Sequence, residues 1–126
     1  MKSISVIGSG TMGNGIAHVF SQHGYEVSLV DIKVEFLEKA LATISKNMDR
    51  QVAKGTLSQE EKDAALSRIS TFTSLEQGVK NADLVVEAAT ENLALKLDIF
   101  RQLDQFSPEK AILATNTSSM RFAKSG

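Results

Sequence analysis

Gly8, Gly10 and Gly13 follow a short apolar run, Ile4-Ser5-Val6-Ile7, at G-x-G-x-x-G spacing, and an acid, Asp31, closes the next apolar run. Glycines so spaced suit a pyrophosphate. Gly8 permits a tight strand-to-helix turn, Gly10 brings the backbone close to phosphate with no Cβ between, and Gly13 lets the following helix lie against the strand. The phosphates then meet a helix N-terminus, where unpaired N–H groups and the helix dipole favour negative charge. Asp31 stands where a carboxylate accepts hydrogen bonds from adenosine ribose hydroxyls. The expected ligand is therefore a dinucleotide, held by Gly8, Ser9, Gly10, Thr11, Met12, Gly13 and Asp31. A carboxylate at this point repels a 2′-phosphate and no Arg follows it, which favours NAD over NADP; Lys33 is the one nearby cation that acts the other way.

These residues need a strand, a helix and a second strand in register, and the pattern supplies them. Ile16, Val19, Phe20 and His23 recur at helical intervals, with Thr11, Asn14, His18 and Gln22 assigned to the polar face and Gly24 as the stop. A strand over 25–30 leads to Asp31. From about 33 to 54 Val34, Leu37, Leu41, Ile44, Met48 and Val52 repeat as one long helix. Ser58-Gln59-Glu60-Glu61 then reads as a capping box that opens a second helix ending near Arg68. The resulting helical hairpin, about 33–68, either packs wholly on its own sheet or stands off it to touch a ligand, and the pattern does not choose. Strand and helix segments continue over 69–73, 74–80, 83–89, 92–106 and 111–115. The 83–89 segment has the continuous apolar centre of a parallel strand covered on both faces. The expected fold is α/β, a doubly wound parallel sheet of Rossmann type with a helical hairpin inserted after the second strand, residues 1–126 forming one domain. Ligands of such sheets bind beyond the carboxyl ends of the strands, which gathers 8–13, Asp31, 88–92 and 116–119 around one crevice.

Composition narrows the class. The chain of 126 residues is 42% apolar with a net charge of −1, which gives no reason to expect a nucleic acid or membrane partner. It contains no cysteine, so disulfides and thiolate chemistry are excluded. Met1-Lys2-Ser3 passes directly into a strand and leaves no room for a signal peptide. A cytoplasmic location is expected.

Candidates for chemistry sit at strand ends. Glu91 and Asn92 follow the fourth strand and Lys96 lies near the start of the next helix, where the alternatives are an acid favourably placed at a helix N-terminus and a solvated lysine. Asn116, Thr117, Ser118 and Ser119 follow the fifth strand and offer hydroxyl and amide groups, though such residues also cap helices. Oxidising an alcohol with NAD calls for a base, usually His. His18 and His23 both fall on the first helix, away from any strand end, and read as structural. No metal-ligand cluster is visible, so no metal is expected.

Three separated motifs carry a family likeness. Val6-Ile7-Gly8-Ser9-Gly10-Thr11-Met12-Gly13-Asn14-Gly15-Ile16-Ala17, Val85-Val86-Glu87-Ala88-Ala89-Thr90-Glu91-Asn92 and Ala114-Thr115-Asn116-Thr117-Ser118-Ser119 resemble the NAD-binding domain of the 3-hydroxyacyl-CoA dehydrogenases, and most of all their bacterial 3-hydroxybutyryl-CoA branch. The resemblance covers nearly the whole chain. It implies oxidation of an L-3-hydroxyacyl-CoA to the 3-ketoacyl-CoA, with NAD as cofactor, an acyl-CoA partner and a homo-oligomeric assembly. Carried over by motif, Gly8, Gly10 and Gly13 would hold the pyrophosphate and Asp31 the adenosine ribose. Glu91 and Lys96 would lie near the nicotinamide, and Ser118 would hydrogen-bond the substrate oxygen, with Asn116 beside it. In the hairpin, Asn47 and Lys54 match positions that meet CoA.

The resemblance has limits. After the paired serines the family continues with a run like Leu-Ser-Ile-Thr, whereas this chain has Met120-Arg121-Phe122-Ala123. The family's catalytic histidine, in an H-F-F-N-P motif, its partner glutamate and its helical C-terminal domain would lie downstream, so the 126 residues alone are expected to bind NAD without turnover. Two rival readings are a stand-alone NAD-binding module and a β-hydroxyacid dehydrogenase of the 6-phosphogluconate type. The hairpin and Asn116 to Ser119 argue against the second.

Overall fold

Glycine punctuation and apolar periodicity produce an alternation of strands and helices in a computed structural model that describes residues 2–88, 93–115 and 121–123. β1 (Ser3–Ile7) ends at Gly8, whose φ of 102° lies where a Cβ is strained. α1 (Thr11–Gln22) and β2 (Glu26–Val30) follow, then α2 (Val34–Ala53) and α3 (Gln59–Ser67), the two arms of the hairpin. The chain continues through β3 (Ile69–Phe72), α4 (Leu75–Val79), β4 (Leu84–Glu87), α5 (Leu93–Phe106), β5 (Ile112–Thr115) and β6 (Arg121–Ala123).

The strands form a single sheet in the order β3-β2-β1-β4-β5-β6. β1 to β5 are parallel, as the sequence predicts for a doubly wound fold. β6 is not. It pairs antiparallel with β5, Ile112 opposite Ala123, and the parallel-sheet expectation is corrected at this edge. Five residues separate β5 from β6, and a parallel return needs a crossover of a dozen or more. Register places Ile7, Val30, Phe72, Glu87 and Thr115 in one row, so the carboxyl ends of five strands lie at one level.

Alternate residues of β1 feed two cores, as a strand covered on both faces requires. Ile4 and Val6 pack with Val27, Leu29, Ala17, Leu37, Ile44 and Met48 under α1 and the hairpin. Ile7 packs with Val30, Val79, Val85 and Leu103 under α4 and α5. Ser5 on that second face donates its hydroxyl to the Gly78 carbonyl at 2.6 Å. A Cβ on Gly78 would come within 2.3 Å of Val30 Cγ2, so α4 lies closer to β2 than any other residue would permit.

α1 faces the core differently from its apolar spacing. Its buried residues are Gly13, Asn14, Ala17 and Ser21, while Val19 is 54% exposed and Met12 52% exposed. Small residues at the contact let the helix approach the sheet, and the larger Ile16 and Phe20 pack only at its margin. Asn14, assigned to the polar face, is buried.

α2 resolves the question about the hairpin. Leu37, Ala40, Ile44 and Met48 are buried in the core shared with β1 and β2, and Leu57 and Ala65 belong to the same core. The Ser58 capping box is present in both directions: Ser58 Oγ accepts from the Glu61 N–H at 3.0 Å and Glu61 Oε1 accepts from the Ser58 N–H at 3.0 Å. Lys62 and Asp49 add an ion pair between the arms.

Candidate dinucleotide site

The site begins where β1 turns into α1. Gly8 donates its N–H to the Val30 carbonyl at 2.7 Å, which fastens the glycine loop to the end of β2. Gly13 sits against that turn: a Cβ there would lie 1.8 Å from the Gly8 oxygen and 3.3 Å from Val6 Cγ1. Gly10 is different in kind. Its φ of −66° is open to any residue and a Cβ there would meet no atom of the described residues within 4 Å, so among them neither conformation nor packing asks for glycine. The loop surface at Gly10 is thus left open to an approaching group such as a pyrophosphate.

Gly10 is the N-cap of α1 and provides no side-chain acceptor, and no acid stands in the first turn. The first amides of α1 thus keep their capacity to bind an anion. Ser58 and Ser74, by contrast, accept from Glu61 and Gln77 at the starts of α3 and α4.

Asp31 lies directly beside the loop. Its Oδ2 accepts from the Ser9 N–H at 2.8 Å and from the Ser9 hydroxyl at 2.6 Å, and its Oδ1 accepts from the Ile32 N–H at 2.7 Å. Three elements then wall a cavity of about 670 Å³: Ser9, Gly10, Thr11, Asn14 and Gly15 from loop and α1, Asp31 and Ile32 from the end of β2, and Phe36, Lys39, Thr43 and Asn47 from α2. That volume is in the range of small-molecule sites.

α2 therefore packs one face on the sheet without standing off it and turns another to the cavity, an arrangement between the two alternatives that the sequence left open. Phe36, Lys39 and Thr43 escaped the sequence reading. Their signal was spacing, since with Asn47 they recur at three- and four-residue steps beside the buried Leu37, Ala40, Ile44 and Met48. The walls are joined by polar contacts along α1. Asn14 Nδ2 donates to the Ala40 carbonyl at 3.0 Å, His18 Nε2 pairs with Gln51 Oε1 at 2.9 Å, and Gln22 Nε2 donates to the same oxygen at 3.1 Å. His23 Nδ1 lies 2.7 Å from the Val19 carbonyl, so His23 serves the end of α1 while His18 joins α1 to α2.

The structure thus gathers Ser9, Gly10, Thr11, Asp31 and Asn47 around one cavity, with Gly8 and Gly13 forming the turn beneath it. Met12 is exposed on the opposite side of α1, beside Ile16, Val19 and Phe20. Lys54, the C-cap of α2, is exposed and about 10 Å further along the axis than Asn47. Glu91, Asn116 and Ser118 lie outside the described residues, and of Lys96 only the backbone, within α5, is described. Among the described residues no group of three His, Cys, Asp or Glu could hold a metal ion, and no helix is long and apolar enough to cross a membrane.

A parallel sheet whose strand order reverses between β1 and β4, with a glycine loop and an acid at the carboxyl ends, defines a dinucleotide-binding domain. The chain belongs to the family described as 3-hydroxyacyl-CoA dehydrogenase, NAD binding domain, which matches residues 3–124, and its cofactor is NAD. It is 41% identical over 117 residues to a 3-hydroxybutyryl-CoA dehydrogenase of Clostridioides difficile, covering 93% of this chain and 41% of that protein. It is 41% identical over 120 residues to a 3-hydroxyadipyl-CoA dehydrogenase of Escherichia coli K12, covering 95% of this chain and 25% of that protein. The crystal structure of an (S)-3-hydroxybutyryl-CoA dehydrogenase from Ralstonia eutropha superposes with a TM-score of 0.90 at 41% identity, over 95% of this chain and 42% of that one. The chain thus spans at most about two fifths of the length of these relatives.

Proposed function

We propose that this chain is the cofactor-binding part of an oxidoreductase that converts a short-chain L-3-hydroxyacyl-CoA, of the 3-hydroxybutyryl type, to the 3-ketoacyl-CoA by hydride transfer to NAD. The observation that carries the reading is the pairing of Gly10, a glycine that no atom among the described residues requires, with an uncapped α1 and with Asp31 on the same cavity. In this reading Gly8, Ser9, Gly10, Thr11, Met12 and Gly13 form the pyrophosphate loop, and Asp31 takes the adenosine ribose. Glu91 and Lys96 serve the nicotinamide end. Ser118 hydrogen-bonds the substrate oxygen with Asn116 beside it, and Asn47 and Lys54 meet CoA. The Asn47 role is supported by its place on the cavity wall.

NAD supplies the hydride acceptor when bound. The residues of this chain bind and orient it, and the base that takes the hydroxyl proton belongs to the remainder of the dehydrogenase, which together with the acyl-CoA and a cytoplasmic homo-oligomer completes the proposal. The surface formed by Met12, Ile16, Val19 and Phe20 supports association. Calorimetric titration of the 126-residue polypeptide with NAD tests the reading: saturable binding, tighter than for NADP, is expected, and absence of NAD binding would overturn it.

A further inference from the structure

Ser9 differs from the other loop residues in where its side chain goes. Both of its donors, the hydroxyl at 2.6 Å and the N–H at 2.8 Å, meet Asp31 Oδ2, while Oδ1 accepts from the Ile32 N–H at 2.7 Å. Ser9 is buried and Asp31 is half-buried on the cavity wall. A carboxylate has about four lone-pair positions. Ser9 fills those of Oδ2, and the one left on Oδ1 is the position open to a further donor.

That arrangement bears on which nucleotide is accepted. A ribose diol donates a hydrogen bond to the open position, whereas a 2′-phosphate only accepts and carries like charge. The Ser9 and Ile32 N–H groups each hold one oxygen of the carboxylate, and the hydroxyl, arriving at Oδ2 from a second direction, is the side-chain restraint that narrows its remaining rotation about Cβ–Cγ. We propose that Ser9 is a positioning residue for nucleotide selection: acting through Asp31 rather than on the dinucleotide, its hydroxyl holds the carboxylate in the orientation that favours a free ribose diol over a 2′-phosphate. The proposal rests on the NAD reading of the site.

The test is a calorimetric titration of NAD and NADP into the wild type, Ser9→Ala, Asp31→Asn and the double variant. Ser9→Ala is expected to weaken NAD about 5- to 20-fold, the worth of one charge-assisted hydrogen bond. NADP should change by less than about twofold, because its 2′-phosphate only accepts and so has no hydrogen bond to the carboxylate to lose. In the Asp31→Asn background Ser9→Ala should add little, because a residue that works through Asp31 has lost its means of action. An unchanged NAD affinity in Ser9→Ala, an equal loss for NAD and NADP, or a full effect persisting beside Asp31→Asn each overturns the proposal while leaving the cofactor reading intact. A wild type that binds no NAD overturns both. Circular dichroism melts accompany each variant, and where Ser9→Ala does not fold, Ser9→Gly removes the same hydroxyl and is judged by the same outcomes.

Discussion

A Cβ placed on Gly13 would lie 1.8 Å from the carbonyl oxygen of Gly8. The outer glycines of the loop therefore hold each other in place: the φ of 102° at Gly8 turns its carbonyl under α1, and only a hydrogen at Gly13 leaves it room. The middle glycine has no such neighbour, and this separation of structural from functional glycine can be measured.

Gly13→Ala should cost on the order of 3 kcal/mol or more, since backbone must move to relieve the overlap. Gly10→Ala should cost at most about 1 kcal/mol, the difference between glycine and alanine at an N-cap, yet weaken NAD at least about tenfold by placing a methyl in the pyrophosphate path. Urea unfolding and calorimetry read the two effects. Equal stability losses for the two variants would refute the distinction.

Gly15 tests the same logic within a helix. It lies in α1, exposed, and a Cβ there meets nothing within 4 Å. Gly15→Ala should stabilise the chain by about 0.5–1 kcal/mol through helix propensity, a rise of roughly 2–4 °C in melting temperature. A lower melting temperature would show that α1 is strained by a side chain at this position.

Acid should destabilise the fold through two exposed carboxylates. The Ser58 N–H, and then the Ser58 side chain, hold Glu61 below the usual carboxylate range. The Lys2 N–H, followed by that of Ser3, does the same to Asp83 at 2.9 and 3.0 Å. Each folded-state pKa is depressed, so the stabilisation is complete above the unfolded-state pKa and is lost as pH falls through the folded one. Melting temperature from these groups should hold level between about pH 7 and 5 and decline below about pH 4. Asp83→Asn should flatten the acid limb, and an unaltered limb in that variant would remove Asp83 from the explanation.

Turnover separates the cofactor half from the whole reaction. The 126-residue polypeptide should bind NAD and show no oxidation of NADH with acetoacetyl-CoA above the buffer rate, because loss of a general acid–base alone costs about 10²–10⁴ in rate. Absorbance at the NADH band follows the reaction. Enzyme-dependent decay would place a competent base among these residues.

Legibility in the sequence followed the range of the interaction. The glycine turn and the Ser58 capping box involve residues within five positions of one another, and their spacing alone predicted their geometry. The doubly wound parallel sheet followed from the alternation of strand and helix patterns. Long-range contacts were less visible. Asn14 reads as a surface residue because polarity along α1 says nothing about the Ala40 carbonyl 26 positions away. Gly78 carries no motif, and only the approach of Val30 explains it. Helical spacing puts Lys39 and Thr43 on one face with Asn47, but that this face meets a cavity depends on α2 leaning on α1, which periodicity does not specify. β6 was missed since three residues make too short a pattern.

The contacts that run from Asn14, His18 and Gln22 to α2 have a dynamic consequence. With Arg68 Nη1 donating to the Ser21 carbonyl at 2.8 Å, they tie α1 to both arms of the hairpin. The two cavity walls should then open as one cooperative unit, with amide hydrogens of α1 and of the middle of α2 exchanging at a common rate in hydrogen-exchange measurements. A ligand gripping the loop would slow exchange as far away as Gln51, which makes the hairpin a reporter of occupancy at a site that it only partly lines.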